Sequence, residues 1–182
     1  MAKKRKFIAY RKLERPYTRK SKFRSKSFVR ASPQTKIVRF DMGNKSKTDW
    51  EYSLTLVSKD GLQIRDNSLE SARQVINKYF ETQIGTENYH LRLKAYPHHM
   101  LRENPLASGA GADRMSTGMK MSFGKVIGIA ARINRGKAVF EIRTNKPFLE
   151  KAKIGLLKGV HRMPASFTVK IESLKNEKPV VA

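Results

Sequence analysis

Hydrophobic and polar residues alternate in several short runs of the chain, which is the pattern of strands with one buried face. The sequence predicts strands over 36–42, 50–59, 62–65, 89–96, 126–133, 138–143 and 167–171. Asp60-Gly61 is a typical hairpin turn, so it predicts that the second and third of these strands pair with each other. Gly128, inside the apolar run 126–133, indicates a bulge or a close backbone approach.

Two longer segments carry apolar residues three and four positions apart, which is the spacing of an amphipathic helix. The first covers 67–85. Asn67 is its expected N-cap, Glu70 completes a capping box, and Gly85 is expected just beyond its C-terminus. The second covers 145–158 and is expected to be capped by Asn145 or Thr144, with a proline in its first turn.

The order of these elements predicts the fold class. Strands, a helix, a strand, a long connection, two strands, a helix and a strand indicate an α+β domain with a mostly antiparallel sheet and two packed helices. We expect one domain over 36–174, a basic N-terminal extension over 1–35 and a C-terminal tail over 175–182. The extension should contact RNA, because five aromatic residues punctuate its thirteen Lys and Arg and because bases stack on aromatic and guanidinium planes.

The segment from Tyr96 to Lys125 has neither helical nor strand periodicity, and it is rich in Gly, Ala, Ser, Met and Arg. Long connections of this kind within a domain are usually functional or disordered. We expect a flexible loop over 102–122. Its small residues would allow close approach to a partner, and its Arg and Lys side chains indicate that this partner is a polyanion.

The net charge of the chain limits the classes of partner that it is expected to bind. The chain has 182 residues, with 39 Lys and Arg against 15 Asp and Glu, a net charge of +24 and a pI near 10.5. Such a balance is the electrostatic footprint of a nucleic-acid-binding protein. A membrane surface is less favoured because no basic amphipathic helix is visible. The absence of cysteine excludes disulfides and thiolate zinc sites.

The sequence motifs give little support to a catalytic function. His98-His99 beside Glu103 suggests a metal site or a general base, but adjacent histidines of an extended segment point to opposite faces. The segment GMKMSFGK has the wrong glycine spacing for a phosphate-binding loop and lacks its Ser/Thr. We therefore predict no enzyme activity, no cofactor, no metal and no small-molecule substrate.

Three sequence blocks carry a resemblance to a known family. These blocks are RPYTRK (15–20), FDMGN (40–44) and, above all, YPHHMLRENPLASGAGADRMSTGM (96–119). They closely resemble the archaeal and eukaryotic-type large-subunit ribosomal protein ten, the counterpart of bacterial large-subunit ribosomal protein sixteen. The likeness runs from about residue 15 to about residue 171.

The resemblance implies a hammerhead-like α/β sandwich. It also implies a structural role in the large subunit of the cytoplasmic ribosome, bound to large-subunit rRNA near the central protuberance and the A-site tRNA cleft. Its central loop would point toward the peptidyl-transferase region. Neighbouring ribosomal proteins, 5S rRNA and A-site tRNA are the further candidate partners, with no membrane. Two alternatives stay open: a non-ribosomal RNA-binding maturation factor, or an RNA-acting enzyme that uses His98 and Glu103.

The candidate RNA-binding residues fall into two groups. Those of the N-terminal extension are Arg15, Tyr17, Arg19, Lys20 and Arg24. Those of the central loop or its base are His98, His99, Arg102, Asn104, Arg114, Lys120 and Lys125. The resemblance carries most of these assignments, while the charge of the extension and of the loop adds Arg24 and Lys125.

Overall fold

The fold has two antiparallel sheets and two α-helices. It is seen in a computed structural model that describes residues 5–13, 23, 25, 29, 31, 33–104, 109, 111, 118 and 123–174. The strands are β1 (Asp41–Gly43), β2 (Tyr52–Ser58), β3 (Leu62–Arg65), β4 (Tyr89–Leu93), β5 (His99–Glu103), β6 (Lys125–Ile133), β7 (Ala138–Thr144) and β8 (Phe167–Ser173). The helices are α1 (Asp66–Gln83) and α2 (Leu149–Val160).

The larger sheet has five strands in the order β1-β4-β7-β2-β8, and the smaller has three in the order β3-β6-β5. Every strand pair within them is antiparallel. The predicted α+β class, with antiparallel strands and two helices, is confirmed. The strands divide between these two sheets.

Both helices pack on each other, and together they connect the two sheets. α1 contacts β3 and β6 of the smaller sheet and β4 of the larger one, while α2 contacts β2, β7 and β8. One hydrophobic cluster fills the space between them, and it includes Leu54, Leu62, Ile76, Phe80 and Phe140, all fully buried. The two sheets therefore share one core, in which the apolar stripe of α1 lies at the centre.

The hairpin predicted at Asp60-Gly61 is wrong. β2 pairs with β7 along one edge and with β8 along the other, so neither of its edges is free for β3. β3 instead pairs with β6 in the smaller sheet. Asp60-Gly61 carries the chain from one sheet to the other, and the Ser58 hydroxyl donates to the Asp60 carbonyl at 2.7 Å within this turn.

The strand predicted over 36–42 is mostly wrong, since strand pairing begins only at Asp41. Two carboxylates of α1 hold the preceding segment. The Lys36 amide donates to Asp66 Oδ2 at 3.3 Å, and the Val38 amide donates to Glu70 Oε2 at 3.4 Å. Side chains thus satisfy backbone groups that a neighbouring strand would otherwise pair.

The same carboxylates explain why the predicted capping box is wrong. α1 begins at Asp66, one residue before the expected cap, and Arg65 at the N-cap makes no side-chain capping bond. Glu70 binds the Arg73 guanidinium through both oxygens, at 2.8 and 2.6 Å. The bonds from Arg73 hold the pKa of Glu70 below its usual value although burial opposes them.

The caps proposed for the second helix are also wrong. Residues 146–148 form a short 3-10 turn before α2 begins at Leu149. Asn145 makes no side-chain capping bond, and the Thr144 hydroxyl donates instead to the Asn88 carbonyl at 3.0 Å. Thr144 therefore joins β7 to the turn before β4 rather than starting the helix.

Two glycine predictions are confirmed. Gly85 follows α1 with φ of +86°, and its amide donates to the Phe80 carbonyl at 3.0 Å. The register of β5 on β6 shifts between Leu101, opposite Gly128, and Arg102, opposite Val126. One extra residue of β6, Ile127, is therefore bulged out beside Gly128, as expected for a glycine within an apolar strand.

The helices approach closely where α2 has glycines. A Cβ placed on Gly155 would lie 2.1 Å from Cε1 of Phe80 and 2.8 Å from Cδ1 of Tyr79. A Cβ on Gly159 would lie 2.3 Å from Cδ1 of Ile76. The two rings facing Gly155 cannot move aside as easily as the end of an isoleucine. Gly155 therefore sets the separation of α1 and α2.

We expect Gly155→Ala to lower the free energy of unfolding by about 1–3 kcal/mol, the usual cost of overpacking a core. The steric clash opposes the gain of roughly 0.5–1 kcal/mol that alanine normally brings to a helix interior. Denaturant unfolding would measure the change, with the exposed Lys153→Ala as control in the same helix. An unchanged or raised stability would contradict this packing.

Candidate nucleic-acid interface

The face of the three-stranded sheet that points away from the core carries polar and basic side chains. Leu62, Ile64, Ala131 and Ile133 belong to the core cluster, so the residues alternating with them lie on the opposite face. The register places Gln63 opposite Arg132, and it places Arg65 and His99 on either side of Ala130. We call this surface, formed by Gln63, Arg65, His99, Ala130 and Arg132, the outer face.

His99 lies on the edge strand β5, and it is buried. It is 7% exposed, and its Nδ1 makes no hydrogen bond to the residues that the structure describes. Burial, followed by the nearby charges of Arg132 and Arg102, lowers the pKa of His99 to about 4. The imidazole is therefore neutral at physiological pH, and it adds no charge to the cations around it.

An N-terminal segment, residues 5–13, crosses this outer face. At one side of the sheet, Arg5 Nε lies 2.5 Å from Glu103 Oε1 at the end of β5, and the Tyr10 hydroxyl donates to Glu103 Oε2 at 3.2 Å. Burial, supported by the negative charge of Glu103, raises the pKa of Tyr10, so its hydroxyl keeps its proton. Glu103 thus anchors the first part of the segment.

At the other side of the sheet, the segment runs beside β3. The Gln63 amide donates to the Arg11 carbonyl at 3.0 Å, and Gln63 Nε2 donates to the Lys12 carbonyl at 2.5 Å. Arg65 Nη1 donates to the Arg5 carbonyl at 3.1 Å. These bonds use backbone carbonyls of the segment, and the side chains of Arg11 and Lys12 are exposed.

A cleft of about 260 Å³ lies between the N-terminal segment and β5. On one side it is bounded by the N-terminal segment, both where the segment bonds to the Glu103 carboxylate and where its backbone carbonyls accept bonds. On the other side it is bounded by His99, Arg102, Glu103 and Asn104. Arg102 Nη1 donates to the Phe123 carbonyl at 2.9 Å, which ties the end of β5 to the residues just before β6. The cleft therefore opens where the central loop leaves the sheet.

Positive charge dominates this side of the molecule. The basic residues on the outer face, on the N-terminal segment and at the loop base are Arg5, Lys6, Arg11, Lys12, Arg65, Arg102, Lys125 and Arg132. The carboxylate the structure places among them is Glu103, bound to Arg5 and Tyr10. Such a surface can neutralise several phosphates of a nucleic-acid backbone, each contact releasing a condensed counterion.

The five-stranded sheet differs, because carboxylates neutralise much of its outward face. Glu141 is bonded by Arg143 at 2.9 Å and forms an ion pair with Lys94. Burial alone would raise the pKa of Glu141, but the bonds from Lys94 and Arg143 outweigh it and lower the pKa. Asp41 lies 3.5 Å from Arg92. The surplus charge is therefore more concentrated on the smaller sheet.

The structure describes only some of the predicted site residues. His99 and Arg102 lie in β5, Asn104 directly follows it, and Lys125 begins β6, so these four are brought to one edge of the outer face. His98 precedes β5 and is exposed, in contact with the Tyr96 ring. The remaining predictions, Arg15, Tyr17, Arg19, Lys20, Arg24, Arg114 and Lys120, lie outside the described residues.

Strand β5 itself is a correction to the sequence analysis. The segment 96–125 showed no strand pattern, yet His99–Glu103 pairs with β6 over five residues. The burial pattern of β5 is nearly continuous and not alternating, because the N-terminal segment covers the face that would otherwise meet solvent. The expected loop over 102–122 therefore begins two residues inside a strand, and most of it lies outside the described residues.

The geometry removes the acid–base pair suggested by His98 and Glu103. The two residues stand five positions apart, before and at the end of an extended strand, which separates them by about 16 Å at the usual rise per residue. Glu103 is bound to Arg5 and Tyr10 instead. In the part of the chain that the structure describes, no cluster of three or more His, Asp or Glu side chains could hold a metal ion.

Sequence reasoning missed Arg5, Gln63, Arg65 and Arg132 as interface residues. The sequence did contain one indication of Arg132, because it is the only charged residue in the apolar run 126–133. Its meaning depended on the register of β3 on β6, which the wrong hairpin assignment concealed. No helix among the described residues is long and apolar enough to span a bilayer.

Comparison with known proteins shows which family the sequence matches. The family model described as ribosomal protein L16p/L10e matches residues 13–170. Proteins called large ribosomal subunit protein uL16 are similar to the chain. That of Archaeoglobus fulgidus is 44% identical over 163 residues, 90% of each chain, and that of Methanoculleus marisnigri is 42% identical over 156 residues, 85% of this chain and 88% of its own. That of Methanococcus aeolicus is 44% identical over 163 residues, 89% of this chain and 90% of its own.

The neutral, buried His99 predicts a pH dependence of stability. Its folded-state pKa of about 4 lies below the ordinary value of 6.5, so the unfolded chain takes up a proton first as the pH falls. Stability should therefore decline between pH 6.5 and 4, by as much as about 3 kcal/mol. Denaturant unfolding between about pH 6.5 and 4.5 should show this decline in the wild type and not in His99→Gln.

His98→Gln is the matched control, because it removes an exposed histidine and keeps His99. Below about pH 4.5 the paired carboxylates Glu70 and Glu141, whose pKa values are lowered, also lose their contribution in all three proteins. The comparison is therefore made above that pH. Parallel curves for wild type and His99→Gln would show that His99 is not held neutral by the fold.

Proposed function

The chain belongs to the ribosomal protein L16p/L10e family, and on that premise we propose that it is a structural constituent of the large ribosomal subunit that binds large-subunit rRNA. Its place is then the ribosome, in the cytoplasm, and its partners are rRNA and the ribosomal proteins beside it. It acts by binding and positioning and not by catalysis. The acid–base pair that an enzyme would need is separated by the length of β5.

The observation that carries this proposal is the basic outer face with the N-terminal segment laid across it. The segment is held through its backbone carbonyls and through Glu103, so the side chains of Arg11 and Lys12 are exposed. Structured RNA is recognised mostly by the shape of its backbone and its 2′-hydroxyls. A rigid sheet that presents fixed cations suits that kind of recognition.

The proposed position of the chain within the large subunit rests on the family's motif block, residues 96–119. We place the chain near the central protuberance and the A-site tRNA cleft, with the central loop directed toward the peptidyl-transferase region. 5S rRNA and A-site tRNA are further partners in this proposal. The structure supports it in one respect: β5 and β6 present both ends of the loop at the edge of the basic outer face.

Salt dependence tests the electrostatic mechanism. If about eight phosphates are neutralised, the logarithm of the affinity for large-subunit rRNA should fall with the logarithm of salt at a slope of roughly −6 to −7. Lys12→Gln and Lys125→Gln should each reduce the magnitude of the slope by about 1. Filter binding over a range of salt concentrations measures both. Lys125→Arg keeps the charge and serves as control, and an unchanged slope in the Gln variants would contradict an interface on this side.

Removal of residues 106–115 tests the proposed role of the loop. The described core does not include them, so we expect unchanged thermal stability and retained rRNA binding, with impaired peptide synthesis by subunits that carry the variant. Thermal melting, subunit co-sedimentation and an in vitro translation assay provide the three measurements. A fall in melting temperature comparable to that of Gly155→Ala would show that the loop supports the fold instead.

Co-sedimentation also separates the ribosomal role from that of a maturation factor. A structural constituent remains with mature large subunits through moderate-salt washing, whereas a maturation factor is found only with precursor particles. Recovery of the chain only in the unbound fraction would contradict the proposed function.

A further inference from the structure

Phe40, Tyr96 and His98, which precede β1 and β5 in the chain, form a partly exposed stack of rings. The rings of Phe40 and Tyr96 are stacked with centroids 5.4 Å apart and planes inclined by 20°. The rings of Tyr96 and His98 follow with centroids 4.5 Å apart and planes inclined by 43°. Tyr96 is 48% exposed, and His98 is exposed as well. We call these three residues the ring stack.

The backbone explains why these rings meet. From Leu91 to Pro97, buried and exposed residues alternate strictly, so Tyr96 and His98 lie on the solvent side while Ala95 and Pro97 face inward. Phe40 directly precedes β1, and its carbonyl accepts a bond from the Leu93 amide at 2.8 Å. Two neighbouring extended segments therefore place three rings in one row on the surface.

One end of the row is anchored and the other is open. Phe40 is partly buried and packs against the core cluster, which fixes the position of the first ring. Tyr96 rests on Phe40, and His98 rests on Tyr96. Tyr96 and His98 are both exposed. The three rings therefore form an aromatic platform that is exposed at its Tyr96 and His98 end.

Packing of the core does not require Tyr96 and His98 at these positions, because neither residue belongs to the core cluster. Arg39, which directly precedes Phe40 in the chain, is exposed. Proteins that bind unpaired nucleotides combine these two features, because every base has a flat face that stacks on an aromatic ring and a phosphate that attracts a cation.

We propose that the ring stack binds an unpaired nucleobase of RNA, which stacks on His98 and the exposed edge of Tyr96 while Arg39 contacts its phosphate. This rests on the proposed rRNA-binding function, and it adds a second contact of a different kind. The basic outer face binds the backbone of folded RNA by charge. The ring stack captures a single base that has left its helix.

Tyr96→Leu tests the stacking, with Tyr96→Phe as the matched control that keeps the ring. Full-length protein is titrated with a short unstructured single-stranded RNA, and with the same sugar–phosphate strand lacking bases. We expect Tyr96→Leu to bind the RNA about tenfold more weakly, the usual effect of losing one stacked base. Tyr96→Phe should bind as wild type, and the abasic strand should not distinguish the three proteins.

Salt titration separates stacking from charge. The slope of log affinity against log salt should be the same for Tyr96→Leu and wild type, because no phosphate contact is lost, whereas Arg39→Gln should reduce its magnitude by about 1. Equal affinity of Tyr96→Leu and wild type for the RNA would overturn the proposal. An equal loss on the abasic strand would overturn it as well.

Fluorescence gives a second readout that does not depend on Tyr96. The chain has one tryptophan, Trp50, which is 4% exposed and so provides a constant background. His98→Trp should be quenched by RNA with bases and unchanged by the abasic strand. If neither strand quenches it, the ring stack is not a base-binding site. Wild-type binding to large-subunit rRNA in the same experiment would leave the proposed function standing, whereas failure of that binding would overturn the proposed function itself.

Discussion

The shortage of carboxylates is the constraint on which the described structure depends. With 39 cationic side chains and 15 acidic ones, each buried acid must hold more than one group. Asp66 and Glu70 together hold the backbone of 36–38 on α1, and Glu70 also binds Arg73. Glu103 fixes Arg5 and Tyr10, and Glu141 ties Lys94 of one strand segment to Arg143 of another.

These acids act as attachment points for the segments around them. A buried carboxylate is costly unless several donors satisfy it, and loss of its partner leaves an uncompensated charge. Each of these four acids therefore fixes the position of the cationic segment around it. The N-terminal segment is the clearest example, because its attachment to the smaller sheet depends on Glu103 at one end and on Gln63 at the other.

The chain carries a net charge of +24, so its acids cannot balance all of its cations. Self-repulsion of this kind destabilises a compact protein on its own, and a permanent polyanionic partner relieves it. The smaller sheet concentrates the surplus, while Asp41 and Glu141 offset part of it on the larger sheet. Stability and RNA binding are in this sense two consequences of one charge distribution, and the neutral His99 of the basic face does not add to the repulsion.

The sequence by itself determined what local patterns and composition can determine. Alternation identified seven of the eight strands at least in part, apolar spacing identified both helices, and net charge together with the 96–119 motif block identified an RNA-binding protein and its family. Tertiary structure alone decided which strands pair. A turn signal such as Asp60-Gly61 fixes a local reversal but carries no information on whether both edges of β2 are already taken by β7 and β8.

Helix starts and the strand β5 were missed for a related reason, since Asp66, Glu70 and the N-terminal segment satisfy or cover groups that lie far away in the chain. The candidate interface of Arg65, His99 and Arg132 depends on cross-strand register, because residues that are distant in sequence become neighbours when backbone hydrogen bonds align them.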